Sequence, residues 1–469
     1  MLSAVHSSRI GYQVAQAIGP LSGRVHYGQL GTWSPLVIES AGTDRPPSSD
    51  HADSSSTGAR TIETAFSPRR NSLNFLGLVL ALFVVFSHSI TLGSFGSESL
   101  FDRTTLGTLA VYGFFAISGY LIAGSASRNG TGRYLWQRFL RIFPAFWVCL
   151  IVTAFVFGTI AWYHYNPERS GLCGIHCYVS QSNGPIGYVV HNALLQINQP
   201  KIAGTLPGGV WSFGWNGSLW TLEFEFLCYL LLAALSFCGL LRRRALIAVM
   251  TGIFWATEIV IISVPSLAQE FSPFNRRDML NVLGIHVEVM RVLVLVSIFL
   301  FGALLYLYRD FVPDSGIIAL LLSIIVLSGF VIPIGQKVPS YYLTGIGVTS
   351  VFLVYPLVWL GIHLPFSRIG AINDYSYGIY VYAFPVQQML VVWKVNSWGY
   401  WPYTMLTIAL IMPLAAASWW LVEKNALKLK HVRPRIRGLT LSGAWAGGGS
   451  GTARIPPEDG PGVGGDREQ

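Results

Sequence analysis

Roughly ten stretches of about 20 predominantly apolar residues, each long enough to cross the hydrocarbon of a bilayer as a helix, run through this chain. They lie near residues 72–93, 106–125, 144–163, 218–238, 245–264, 291–308, 315–334, 341–361, 375–394 and 402–422. In lipid, backbone polar groups must find partners within their own segment, so the expected fold is an all-α, polytopic bundle of about ten membrane helices. Composition agrees: the 469 residues are 52% hydrophobic and only 11% charged, against about a quarter charged in soluble domains. The formal net charge of +9 does not call for nucleic acid, because the basic residues cluster between the apolar runs and after the last one, where bilayer orientation explains them. The five cysteines form no CxxC pair and no His/Cys cluster at zinc-ligand spacing, so no metal site is expected.

The charge pattern sets the orientation. With the N-terminus inside, the cytoplasmic side holds Arg69, Arg70, Arg128, Arg133, Arg138, Arg141, Arg242, Arg243, Arg244, Arg309 and Arg368, followed by the run from Lys424 to Arg437. The outside holds only scattered basic residues, among them Arg103, Arg169, Lys201, Arg276 and Lys337. Both termini are therefore expected in the cytoplasm. Residues 1–68 contain DRPPSSDHADSSSTGAR, too poor in apolar residues to form a core, and read as a disordered cytoplasmic extension without the apolar region of a signal peptide. The membrane domain covers 69–430, and 431–469 becomes basic and then Gly/Pro-rich, a flexible tail. The longest ordered external segment is expected between Trp162 and Gly217, covering a substrate cleft.

A few polar groups stand inside the apolar spans, where an ionisable side chain is costly and is by default a functional candidate. His88 lies about 16 residues into the first helix, roughly 24 Å along it, near the outer end of the hydrocarbon. A neutral imidazole there suits a general base or an acyl-carrying nucleophile; the bland alternative is a ring bonded to a nearby carbonyl. Arg138 and Arg141 in QRFLRIFP are three apart and share one face of a short helix at the cytoplasmic surface. Either they bind phosphates as bidentate partners or they are ordinary positive-inside anchors. Glu223 and Glu225 stand two apart and point to different sides of a helix, so one site cannot use both. Cys173 and Cys177 flank LCGIHCY, where a disulfide and two free thiols are both open readings. Trp211, Trp215 and Trp220 suit either sugar stacking or an interfacial belt.

Several separated motifs between Asn71 and Lys430 carry a resemblance: NSLNFLGLVLALFVVFSHSITL, GFFAISGYLIA, QRFLRIFP, NGSLWTLEFEFLCYLLL, YSYGIYVYAFPVQQ and WWLVEKNALKLK. The chain resembles the acyltransferase-3 family of integral-membrane acyltransferases, which acylate sugars and envelope glycans. The resemblance implies His88 as the catalytic residue and Glu225 as the functional acid, orienting His88 or holding the acceptor. It implies Arg138 and Arg141 as a coenzyme A anchor, with Ser118 beside them at the donor site; Ser118 and Gly119 would also let helices approach closely. The family pattern of Asp, two residues, Arg, ten residues and His departs here, with Asn74 at the Asp position and Gly77 at the Arg position. A second acidic position is Tyr112.

The implied activity is that of a multi-pass membrane O-acyltransferase of the plasma or inner membrane. It would move an acyl group, acetyl being the expected one, from acyl-CoA to a hydroxyl of an envelope sugar, polysaccharide or glycolipid. No cofactor is held permanently, and its surroundings are the lipid bilayer. Two rivals differ in class: a non-catalytic binding subunit, supported by Gly77, and a proton-coupled transporter using His88 and Glu225 as a relay, which should show internal repeats that the sequence lacks.

Overall fold

A computed structural model describes residues 60–97, 99–100, 104–206, 214–271, 279–282, 285–331 and 345–432. The extension before residue 60, the tail after 432, Arg103, Trp211, Arg276 and Lys337 lie outside them. Among the described residues, eight helices are long and apolar enough to cross a membrane. After the short α1 (Ile62–Ala65) come α2 (Leu73–Leu92), α3 (Leu106–Arg128) and the unbroken α4 (Thr131–Tyr165). Two shorter helices follow, α5 (Pro167–Val179) and α6 (Pro185–Asn192), then α7 (Trp220–Phe237), α8 (Arg244–Ser263) and the short α9 (Pro265–Glu270). The series ends with α10 (Val289–Leu307), α11 (Gly316–Val331), α12 (Gly345–His363), α13 (Ser376–Val392) and α14 (Tyr400–His431). Helices α11 and α13, at 16 and 17 residues, occupy the seventh and ninth expected spans. The only strands among the described residues are two short antiparallel pairs, Ser99–Leu100 with Thr104–Thr105 and Met279–Val282 with Ile285–Glu288. This is the all-α membrane bundle that the apolar runs predict.

Close packing at small residues sets the centre of the bundle. A Cβ added to Gly119 of α3 would lie 2.1 Å from the Phe299 carbonyl oxygen of α10, and one added to Gly302 would lie 2.6 Å from the Ala116 carbonyl oxygen. Two backbones approach there as only glycine allows, and dispersion between them replaces the hydrophobic drive that lipid does not supply. The buried faces of α2, α7 and α10 complete the main core around Tyr112, Phe146, Cys228 and Phe299.

Two expectations are corrected here. Pro144 does not open the third span. It sits inside α4, which begins at Thr131, runs 35 residues and relaxes through a π-turn at Thr153–Phe157. At about 52 Å, α4 outruns the roughly 30 Å of hydrocarbon. Arg138 and Arg141 therefore belong to a long transmembrane helix rather than to a short surface one. The Trp162–Gly217 segment, in turn, does not simply cap the bundle. The Trp147 indole N–H donates to the Ala193 carbonyl at 2.8 Å, so α6 descends beside α4 to a level about 27 Å short of its far end. The non-helical return is tied internally: Asn192 Nδ2 donates to the Gln199 carbonyl at 2.8 Å, and the Gln199 N–H donates to Asn192 Oδ1 at 2.9 Å. Backbone at membrane depth needs such partners. Ile186, Val190 and Leu194 face outward from this segment, as an apolar face turned to lipid would.

The chain is already packed before residue 69. Ile62 is fully buried, its N–H donates to the Val312 carbonyl at 2.9 Å, and Glu63 pairs with Arg309 at 2.9 Å.

Candidate functional site

The basic residues of α4 meet acids from distant parts of the chain. Arg141 pairs with Asp374, in the turn before α13, at 2.5 Å, and with Glu423 of α14 at 3.5 Å, while its guanidinium carbon lies 5.6 Å from the Tyr377 ring centroid. Glu423, 2% exposed, also accepts from the Ser418 hydroxyl at 2.9 Å. Asp374 accepts from the Ser376 hydroxyl at 2.6 Å and from the Ser376 N–H at 3.2 Å. Burial alone would raise the Asp374 carboxyl, but the Arg141 charge and the Ser376 hydrogen bonds outweigh it and hold the group below the usual carboxylate range.

Glu225 belongs to an adjoining cluster. It accepts from the Ser118 hydroxyl at 3.3 Å and from the Tyr229 hydroxyl. The Tyr229 ring lies 5.7 Å from the Arg138 guanidinium carbon, and the buried Arg138 Nε makes no hydrogen bond among the described residues. Contacts thus link Arg138 to Ser118 through Tyr229 and Glu225, one turn along α4 from Arg141.

His88 stands apart from them. It is half-buried, its ring packs edge-on against Phe384 with centroids 5.4 Å apart, and it makes no hydrogen bond among the described residues. Gly77 lies eleven residues back along α2, about 16 Å, beside Ser376 of the basic cluster, whose hydroxyl is 3.8 Å from where a Cβ would sit. The spacing on α3 repeats this: Gly107 faces Ser87, next to His88, and Ser118 lies eleven residues further on. Glu225 therefore does not orient His88. Its partners are Ser118 and Tyr229, one layer lower. Glu223 points elsewhere, accepting weakly from Gln196 Nε2 at 3.5 Å.

Other singled-out positions resolve simply. Gly119 packs against α10 as expected, whereas Ser118 spends its hydroxyl on Glu225. Asn74 donates to the Gly370 carbonyl at 2.8 Å, and Tyr112 is fully buried. Cys173 and Cys177 form a disulfide. Trp215 is fully buried with its N–H given to Thr205 at 2.9 Å, so it offers no face to a sugar. Trp220 lies beneath Arg291, 4.4 Å from guanidinium carbon to ring centroid.

Sequence reasoning missed Asp374, Glu423, Ser376 and Gln387. Fully buried Gln387 clamps the helix that carries His88, donating to the Val85 carbonyl and to the Ser89 hydroxyl, each at 2.9 Å. The signal for it was available: an amide pair, Gln387–Gln388, in the middle of an apolar run.

Residues 70–421 match the family model described as an acyltransferase domain, of the acyltransferase-3 type. The chain is also similar to an O-acetyl transferase of Shigella phage Sf6, 28% identical over 371 residues that cover 76% of this chain and 96% of the phage protein. No solved structure matches.

Proposed function

Since the chain belongs to the acyltransferase-3 family and is a membrane-bound O-acyltransferase, we propose that it transfers an acetyl group from acetyl-CoA to a hydroxyl of an envelope sugar, polysaccharide or glycolipid. The membrane is the plasma or inner membrane, with the basic end in the cytoplasm. The observation that carries this reading is the division of polar groups into two layers. Arg138, beside the Arg141–Asp374–Glu423 ion pairs and with its Nε unbonded among the described residues, suits a phosphate of a soluble donor, with Arg141 fixing the helix there. His88, without a hydrogen bond among the described residues and about 16 Å along α2 from Gly77, suits proton transfer at the far end of that donor.

In the reaction, His88 removes the proton as the acceptor oxygen attacks the thioester carbonyl, so a C–O bond forms. The C–S bond then breaks, and the proton passes from the imidazolium to the leaving thiolate. Acceptor hydroxyl and thioester become ester and thiol with no net proton released. Glu225 serves the donor side, holding Tyr229 and through it the position of Arg138.

The test is acyl-CoA consumption by the purified chain supplied with envelope glycans. The His88→Ala variant should lose turnover while keeping expression and detergent stability, because its side chain holds no hydrogen bond among the described residues. Retained turnover in His88→Ala removes this residue from the mechanism.

A further inference from the structure

A cleft of about 280 Å³ opens at the basic end between the starts of α2 and α13, with Asn74, Leu78, Arg368, Asp374 and Ser376 in its lining. Its charges do not cancel. Asp374 is the only carboxylate in the lining, and it is committed to Arg141 and Ser376. Arg368 is exposed and makes no ion pair with any described residue.

The turn carrying Arg368 is held at both ends. At one end the Ser72 hydroxyl donates to the Leu364 carbonyl at 2.7 Å, and at the other Asn74 donates to the Gly370 carbonyl at 2.8 Å. Gly370 has φ +74°, and a Cβ there would lie 2.8 Å from that of Asn74, so the chain passes tightly against α2 two residues beyond Arg368. The backbone that carries Arg368 is therefore fixed against α2, which sets the point at the cleft from which its side chain extends.

Gly77 gives the charge a purpose. Its position, next to Ser376 of the lining, brings no side chain, and Arg141, the arginine of α4 nearest the cleft through Asp374, is committed to two carboxylates. We propose that the Arg368 cleft is an anion site that seats a phosphate of the donor, supplying the cation that Gly77 lacks. This rests on the acyl-CoA reading above. Arginine suits the role because its planar fork meets two phosphate oxygens at once.

Binding to the full chain in nanodiscs, measured by calorimetry with coenzyme A and separately with inorganic pyrophosphate, tests the site. Arg368→Gln should weaken both by about ten- to a hundredfold, the loss of one charge-assisted bidentate contact. Arg368→Lys should recover part of the loss, and Arg243→Gln, at an exposed position away from the cleft, should change neither. Nanodiscs of phosphatidylcholine alone and with added phosphatidylglycerol separate the sources of phosphate. Competition by the anionic lipid that disappears in Arg368→Gln identifies a headgroup as the occupant, and indifference to it identifies the soluble donor. Arg368→Gln binding both probes as tightly as the wild type overturns the site. Wild type that binds pyrophosphate through Arg368 but no coenzyme A keeps the site and refutes the donor reading; binding of neither refutes both.

Discussion

Replacing Gly119 with alanine should loosen the centre of the bundle. The added methyl would meet the Phe299 carbonyl oxygen at 2.1 Å, its carbon at 2.9 Å and the Gly302 Cα at 3.1 Å. All three are backbone atoms, so no side-chain rotation relieves the clash. Ordinary contact begins near 3.4 Å, so α10 must retreat by about 1.3 Å or α3 must bend. Helix α10 has little room to retreat, because its residues from Leu293 to Leu300 are buried throughout against α3 and its other neighbours. Overpacking of this kind costs about 1–3 kcal/mol, and a backbone clash belongs at the upper end, so about 3 kcal/mol is expected. Gly132→Ala is the matched control: it lies in the first turn of α4 with nothing within 4 Å, and there alanine gains up to about 1 kcal/mol from helix propensity. Thermal unfolding in detergent, followed by fluorescence at a fixed scan rate, should therefore show shifts of opposite sign for one chemical change. Equal shifts for the two variants would refute the close crossing of α3 and α10. Gly119→Ala should also lose turnover below its unfolding temperature, because Ser118, one residue away, carries the hydrogen bond to Glu225.

Three further outcomes are expected. Glu225→Gln should impair turnover strongly and Glu223→Gln mildly, since only Glu225 is joined to Tyr229 beside Arg138; equal losses in an acyl-transfer assay would show the pair misassigned. Asp374 has its folded carboxyl held low, so it contributes stability above the unfolded value of about 3.9, and that stability is lost as pH falls through the lower folded value. Unfolding followed from neutral pH down into that acid range should show a falling limb that flattens in Asp374→Asn, and an unchanged limb would remove the Arg141 pairing as its source. Replacing Glu258, fully buried on α8 with neither carboxylate oxygen hydrogen-bonded among the described residues, by methionine should stabilise the fold by about 1–3 kcal/mol; a drop in melting temperature or in turnover would instead give that carboxyl a role.

The bundle was legible because each apolar run had to satisfy its own backbone, and His88, Arg138, Arg141 and Glu225 stood out because charge in such runs is costly. Partnership was not legible. Asp374 lies in a polar turn between two spans, and Glu423 heads the basic run EKNALKLK, where it reads as surface; each is more than 230 residues from Arg141 in sequence. The same blindness joined Glu225 to His88, since spacing along one helix says nothing of depth relative to another. The descent of α6 was hidden for a different reason. Its apolar stretch is only about two turns long, and the Asn and Gln residues that satisfy its irregular backbone are those that mark a surface loop.

The two polar layers of α2 also set a length. On the proposed acyl-CoA reading, a donor held at the level of Gly77 and attacked beside His88 must bridge about 16 Å between its charged end and its carbonyl, whatever its acyl group. The protein then works as a ruler. A thioester on a shortened arm can be held or attacked but not both at once, while each carbon added to the acyl group projects past the histidine toward the acceptor. On that reading, donor selectivity is a matter of reach before it is one of chemistry.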